Sequence, residues 1–319
     1  MTFRFVSILM FAFALQACGG STATFDVAAA DASPEDRLTT AGSDEQTESA
    51  VTSEDDQLTL QPAITPPLEF ADGVDAITDV VLITGQSNAL GSQTVFDPVL
   101  DAPVDRFFAY TDEGWRPATL RQVWDLGSHP LLGLGDDPHN NFGFHFGKTL
   151  LAQRSDRVVG IILVTAPGEG ISHWDADSFF FRKIRNKALL ALNELPHKTG
   201  VDGILWHQGE TDWASDGSND PDIEGFPPND YYSNRLWALI SNFRLESWYD
   251  AERPFICGET ARSPVNVRLN ALNRDSDSYT ACVPGEGLPT WDEEAVHFSA
   301  EGLRQIGANY AEVYLQMTQ

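Results

Sequence analysis

Ester and amide hydrolysis without a metal needs a hydroxyl or thiol that attacks, an imidazole that takes its proton, and a carboxylate that orients the imidazole. This chain offers such groups in a few polar clusters at the ends of apolar runs. Ser87, in Gly85-Gln86-Ser87-Asn88, follows Val80-Val81-Leu82-Ile83-Thr84. A serine on a tight turn after a buried strand is a candidate nucleophile. The same Ser87-Asn88 pair also reads as the cap of a following helix. His297, in Asp292-Glu293-Glu294-Ala295-Val296-His297, lies at the far end of the chain. A histidine three residues after a carboxylate, Glu294, can be oriented from its own loop, with Asp292 as the competing acid. Alone, that segment also reads as an acidic surface run ahead of a helix.

Two more clusters sit between them. In Trp206-His207-Gln208-Gly209-Glu210-Thr211-Asp212, the Gln208 amide can donate to an oxyanion. Glu210 and Asp212 are acid/base candidates, but they are better read as acceptors that hold the loop by its backbone amides. In Thr165-Ala166-Pro167-Gly168-Glu169-Gly170, two glycines after an apolar run let a backbone amide approach a ligand, or simply form a turn. Asp216, Asn219, Asp220, Asp222 and Glu224 form an acidic loop without EF-hand spacing, read as solvated rather than calcium-binding. Trp174, Trp206 and Trp213 can stack on a ligand ring but are weighted as core.

These clusters need a scaffold that brings distant segments to one edge. Apolar runs over 80–84, 158–165, 203–207, 254–258 and 279–283 read as strands. Helical spacing covers 144–153, 179–195, 231–248 and 299–316, with a short helix at 268–273. The 92–141 stretch reads as irregular. Alternating strands and helices predict a mainly parallel sheet covered by helices on both faces. In such sheets, ligands bind beyond the carboxyl ends of the strands, which is where these clusters fall.

The rest of the chain concerns address. Residues 1–18 have Arg4, an apolar run from Phe5 to Leu15, and a Leu15-Gln16-Ala17-Cys18 end that resembles a bacterial lipobox, with Cys18 as the lipidated residue. From Ser21 to Asp79, fourteen acidic residues stand against one basic residue, Arg37. Residues 19–76 are therefore expected to be a disordered tether between the membrane and a domain at 77–319. The whole chain carries −27, so nothing supplies the clustered cations that nucleic acid would need. The acidic domain suits a neutral substrate. Cys257 and Cys282 each end a strand-like run in an exported chain, which fits either a disulfide or two buried thiols. Neither has the His spacing of a zinc site.

Taken in order, the clusters resemble the SGNH hydrolases, in particular the sialate O-acetylesterase-like branch that includes carbohydrate acetyl esterases. Gly85-Gln86-Ser87-Asn88 is similar to the family's nucleophile block, Trp206 to Asp212 to its Trp-His-Gln-Gly-Glu-x-Asp block, and Glu294-Ala295-Val296-His297 to its Asp-x-x-His block. Phe142 to Phe146 is similar to the segment ahead of the second strand. The resemblance spans about 77–316. Glu294 replaces the usual aspartate, and Pro167-Gly168-Glu169 replaces a Gly-Gly-Thr. The resemblance implies a flavodoxin-like α/β/α sandwich and a cofactor-free serine esterase. Ser87 would be the nucleophile, His297 the base and Glu294 the orienter. The Ser87 and Gly168 amides and the Gln208 side chain would form the oxyanion hole, supported by Asn88, His207, Glu210 and Asp212. Its substrates would be short acyl groups, mostly acetyl, on sugars. The alternatives are an esterase, lipase, thioesterase or deacetylase for another substrate, or a catalytically silent carbohydrate-binding lipoprotein.

Overall fold

The computed structural model describes residues 73–91, 95–121, 124, 140–214, 228–262, 265–274 and 278–319. The leader with Cys18, nearly all of the acidic tether and the 216–224 loop lie outside the described residues.

Seven strands form one sheet in the order β3-β2-β4-β1-β5-β6-β7. They are β1 (Asp79–Gly85), β2 (Phe107–Thr111), β3 (Gly114–Pro117), β4 (Val159–Thr165), β5 (Gly203–His207), β6 (Phe255–Gly258) and β7 (Thr280–Val283). All neighbours are parallel except the β2–β3 pair at one edge. The central strand β1 is buried along its whole length, and its alternate side chains separate two cores. Val80 and Leu82 face a layer containing Phe181, Ile184, Leu236 and Phe243, which come from α3 (Phe179–Asn193) and α5 (Pro228–Arg244). Val81 and Ile83 face Phe142, Phe146, Ile306 and Tyr310, from α2 (Phe142–Gln153) and α7 (Ala300–Met317). The expected α/β/α sandwich is the observed one. Period-two burial on both faces explains why β1 and β4 read as continuous apolar runs.

The 92–141 stretch is a correction. Within it lie β2 and β3, an antiparallel hairpin closed by Asp112 and Glu113. Phe107 and Ala109 pack on one core and Phe108 and Tyr110 on the other, so the strand is buried on both faces despite its polar surroundings. Helix α2 begins two residues earlier than its spacing suggested, because the Asn141 side chain accepts from Phe144 N and caps it. Cys257 and Cys282 are register partners on β6 and β7 and are joined in a disulfide.

Candidate active site

The turn that presents Ser87 depends on glycine. Gly85 has φ +144°, and a Cβ there would stand 1.9 Å from His207 O. Only glycine allows β1 to pass that close to β5. Gln86 N then donates to His207 O at 3.0 Å, and the chain turns into the single helical turn α1 (Ser87–Leu90). Gln86, not Ser87, occupies the N-cap position of α1. The Ser87 hydroxyl instead lies 3.0 Å from His297 Nε2, across 210 residues of sequence.

His297 sits in a hairpin-like loop ahead of α7. Thr290 pairs antiparallel with Phe298, and Trp291 N donates to His297 O at 3.1 Å. Asp292 fills the turn. Its Oδ2 stands 2.7 Å from His297 Nδ1 and also accepts from His297 N at 2.9 Å, while its Oδ1 accepts from Val296 N at 2.8 Å. A carboxylate at Nδ1 fixes the tautomer: the ring hydrogen sits there, and Nε2 is left to accept from Ser87. This corrects the assignment of Glu294. Ala295 adopts φ +55° and its N donates to Asp292 O, so the chain doubles back. That reversal brings the residue five before the histidine under the ring and leaves Glu294 exposed.

Asn88, fully buried, joins the two halves. Its Nδ2 donates to Val296 O at 2.9 Å and its Oδ1 accepts from Phe298 N at 3.0 Å, so one carboxamide grips the backbone on both sides of His297. The same Nδ2 reaches Glu210 Oε1 at 2.6 Å. Burial alone would raise the Glu210 carboxyl. His207 at 3.3 Å and Asn88 outweigh it and hold the group below its ordinary value. His207 is anchored from behind: Tyr310 donates its hydroxyl hydrogen to Trp206 O at 2.6 Å and lies 3.2 Å from His207 Nδ1. Asn88→Ala is expected to lower kcat on the order of 10²-fold with KM near wild type, because His297 loses its alignment. Steady-state kinetics beside a melting curve checks this.

In the middle block, Asp212 accepts a backbone amide as expected, whereas the Gln208 amide is engaged by the protein itself. Gln208 Nε2 donates to Gln86 Oε1 and Glu169 O, both at 3.2 Å, and to the Asp212 carboxylate. Two hydrogens thus meet three acceptors, and the atom left buried without a partner is Oε1. As oriented, Gln208 has no spare donor for an oxyanion. It ties its own loop to the turn after β4. Asp212 strengthens that tie by accepting from Ile171 N at 3.1 Å. Burial pushes the Asp212 carboxyl up to about 6. Gly168 sits in the turn with φ +80°, and Ala166 N donates to Gly85 O at 2.8 Å, which keeps this turn beside Ser87's strand. Gln86, absent from the expected site, is the common acceptor for Gln208, Gly209 N and Thr211 N. Its place between Gly85 and Ser87 was the available signal.

Trp174 and Trp206 are core, 1% and 0% exposed and packed edge to face on each other. The Trp213 side chain lies outside the described residues. Among the described residues, the tryptophan beside the site is Trp291, half exposed, with its ring stacked on His297 at 5.9 Å between centroids and 21° between planes.

The arrangement can activate a hydroxyl by an oriented imidazole at the carboxyl edge of a parallel sheet. The model of the family described as "Carbohydrate esterase, sialic acid-specific acetylesterase" matches residues 77–316. Among solved structures, a protein from Arabidopsis thaliana matches with a TM-score of 0.57 and 20% identity, over 75% of this chain and 98% of that one. NanS matches with a TM-score of 0.56 and 16% identity, over 76% and 97%. At such identities these two show a shared fold. No curated protein matches the sequence.

Proposed function

Since the chain belongs to the sialic acid-specific acetylesterase family of carbohydrate esterases, within the SGNH hydrolases, we propose that it removes acetyl groups from sugars through an acyl-Ser87 intermediate. The observation that carries the mechanism is the line Ser87 Oγ, His297, Asp292, with contacts of 3.0 and 2.7 Å. Ser87 attacks the ester carbonyl while His297 Nε2 takes its proton, and Asp292 stabilises the imidazolium that forms. The bond to the sugar oxygen then breaks, and His297 returns the proton to that oxygen. Water repeats the sequence to release acetate. The amides of Ser87 and Gly168 supply the oxyanion donors in this reading, each expected to contribute about 10²-fold or more to kcat.

Two measurements test it together. Acetate release from O-acetylated sugars reports the reaction, and a fluorophosphonate adduct located by peptide mass spectrometry reports the nucleophile. An adduct on Ser87 with turnover supports the proposal. Glycan binding with neither adduct nor turnover would indicate a silent carbohydrate-binding protein.

We also propose that residues 1–18 export the chain and that Cys18 carries a lipid, with 19–76 as the tether. The Leu15-Gln16-Ala17-Cys18 sequence supports this. Palmitate incorporation should be lost in Cys18→Ser.

A further inference from the structure

The proton returned by His297 Nε2 must reach the oxygen of the departing alcohol. The alcohol therefore leaves on the imidazole side of Ser87, whatever its identity. What borders the imidazole on that side determines which alcohols are held well. Trp291 lies against it, near-parallel to the ring and half exposed to solvent. The other tryptophan side chains described, Trp115, Trp124, Trp174, Trp206, Trp237 and Trp248, are buried or partly buried.

The backbone that carries Trp291 is also fixed in place. Its amide donates to His297 O, the Thr290–Phe298 bridge closes the hairpin beneath it, and the Asp292 carboxylate ties down the turn that follows. A rigid, wide, partly wet aromatic surface costs little entropy to present. It can cover the apolar C–H face of a pyranose while the sugar hydroxyls stay hydrated.

We propose that Trp291 is a binding platform for the pyranose ring that carries the scissile ester, and so sets the preference for sugar esters over simple alkyl esters. This rests on the carbohydrate esterase reading above. The indole stacks on His297 and is half exposed, and in this reading its solvent-exposed part receives the sugar. The contact exists in ground state and transition state alike, so it acts mainly on KM. Because the indole also supports the imidazole, removing it lowers every rate to some degree. Discrimination between substrates is therefore the informative quantity.

The experiment compares the wild type with Trp291→Ala and Trp291→Phe on ethyl acetate and on an O-acetylated methyl pyranoside, with acetate release as the readout. The expected result is that Trp291→Ala lowers the sugar-to-ethyl ratio of kcat/KM by about tenfold or more, chiefly by raising the sugar KM. Trp291→Phe should recover much of the ratio, which separates the platform from a folding defect. An unchanged ratio in Trp291→Ala, with both rates falling together, would overturn the proposal and make Trp291 only a support for the imidazole. The wild-type arm tests the underlying reading. A wild-type enzyme that prefers ethyl acetate to the pyranoside ester would remove the carbohydrate reading, and the platform with it.

Discussion

Ser87→Ala should reduce kcat for acetyl ester hydrolysis by about 10⁴- to 10⁶-fold while the melting temperature stays close to that of wild type. The size follows from how a nucleophile and its base act as a unit: without the hydroxyl, His297 and Asp292 have nothing to activate, and only the binding site and oxyanion donors remain. The small effect on stability follows from the turn. Ser87 Oγ meets His297 Nε2, and the N-cap position of the helix that begins at Ser87 is held by Gln86, so the substitution removes one hydrogen bond and no structural cap. Acetate release and thermal unfolding, measured on the same preparation, check both halves. A large loss of stability with a modest loss of rate would restore the reading of Ser87 as a structural residue.

What the sequence disclosed, and what it withheld, follows from the range of each interaction. Strand β5 was legible at its observed residues, 203–207, because burial on both faces requires the unbroken apolar run Ile204-Leu205-Trp206. Ser87 stood out because a polar residue just past such a strand has little to do in a core, and His297 because a carboxylate stands close before it in its own loop. The β2–β3 hairpin escaped because Phe107 to Thr111 is short and lies among polar, Gly- and Pro-rich neighbours. Its burial comes from β4 beside it, a contact no local pattern encodes. The contacts of Gln208 were not legible for a related reason. The same amide can serve an oxyanion or a loop, and its three acceptors come from segments up to 122 residues away. The tryptophans show both outcomes: Trp174 and Trp206 are the core residues their surroundings suggested, while Trp291 drew no notice in an acidic loop.

The acid of the triad gives the sharpest contrast between spacing and geometry. Asp292→Asn should lower kcat by about 10⁴-fold, because a side-chain amide can present its own hydrogens to His297 Nδ1 and favour the tautomer that can no longer accept from Ser87. The loss should exceed that of a purely local defect, since Asp292 also accepts from Val296 N and His297 N and so sets the loop that carries the ring. Glu294→Gln should stay within about twofold of wild type. Glu294 is exposed, and the reversal at Ala295 turns it away from its sequence neighbour. Parallel kcat measurements on the two variants decide between the acids. If Glu294→Gln were the crippled variant, the loop would have to rearrange in the complex so that the residue three before His297 replaces the one five before it. With Asp292 holding both the ring and the backbone around it, that exchange would break three hydrogen bonds to form one, so the geometry favours Asp292 in the working enzyme as well.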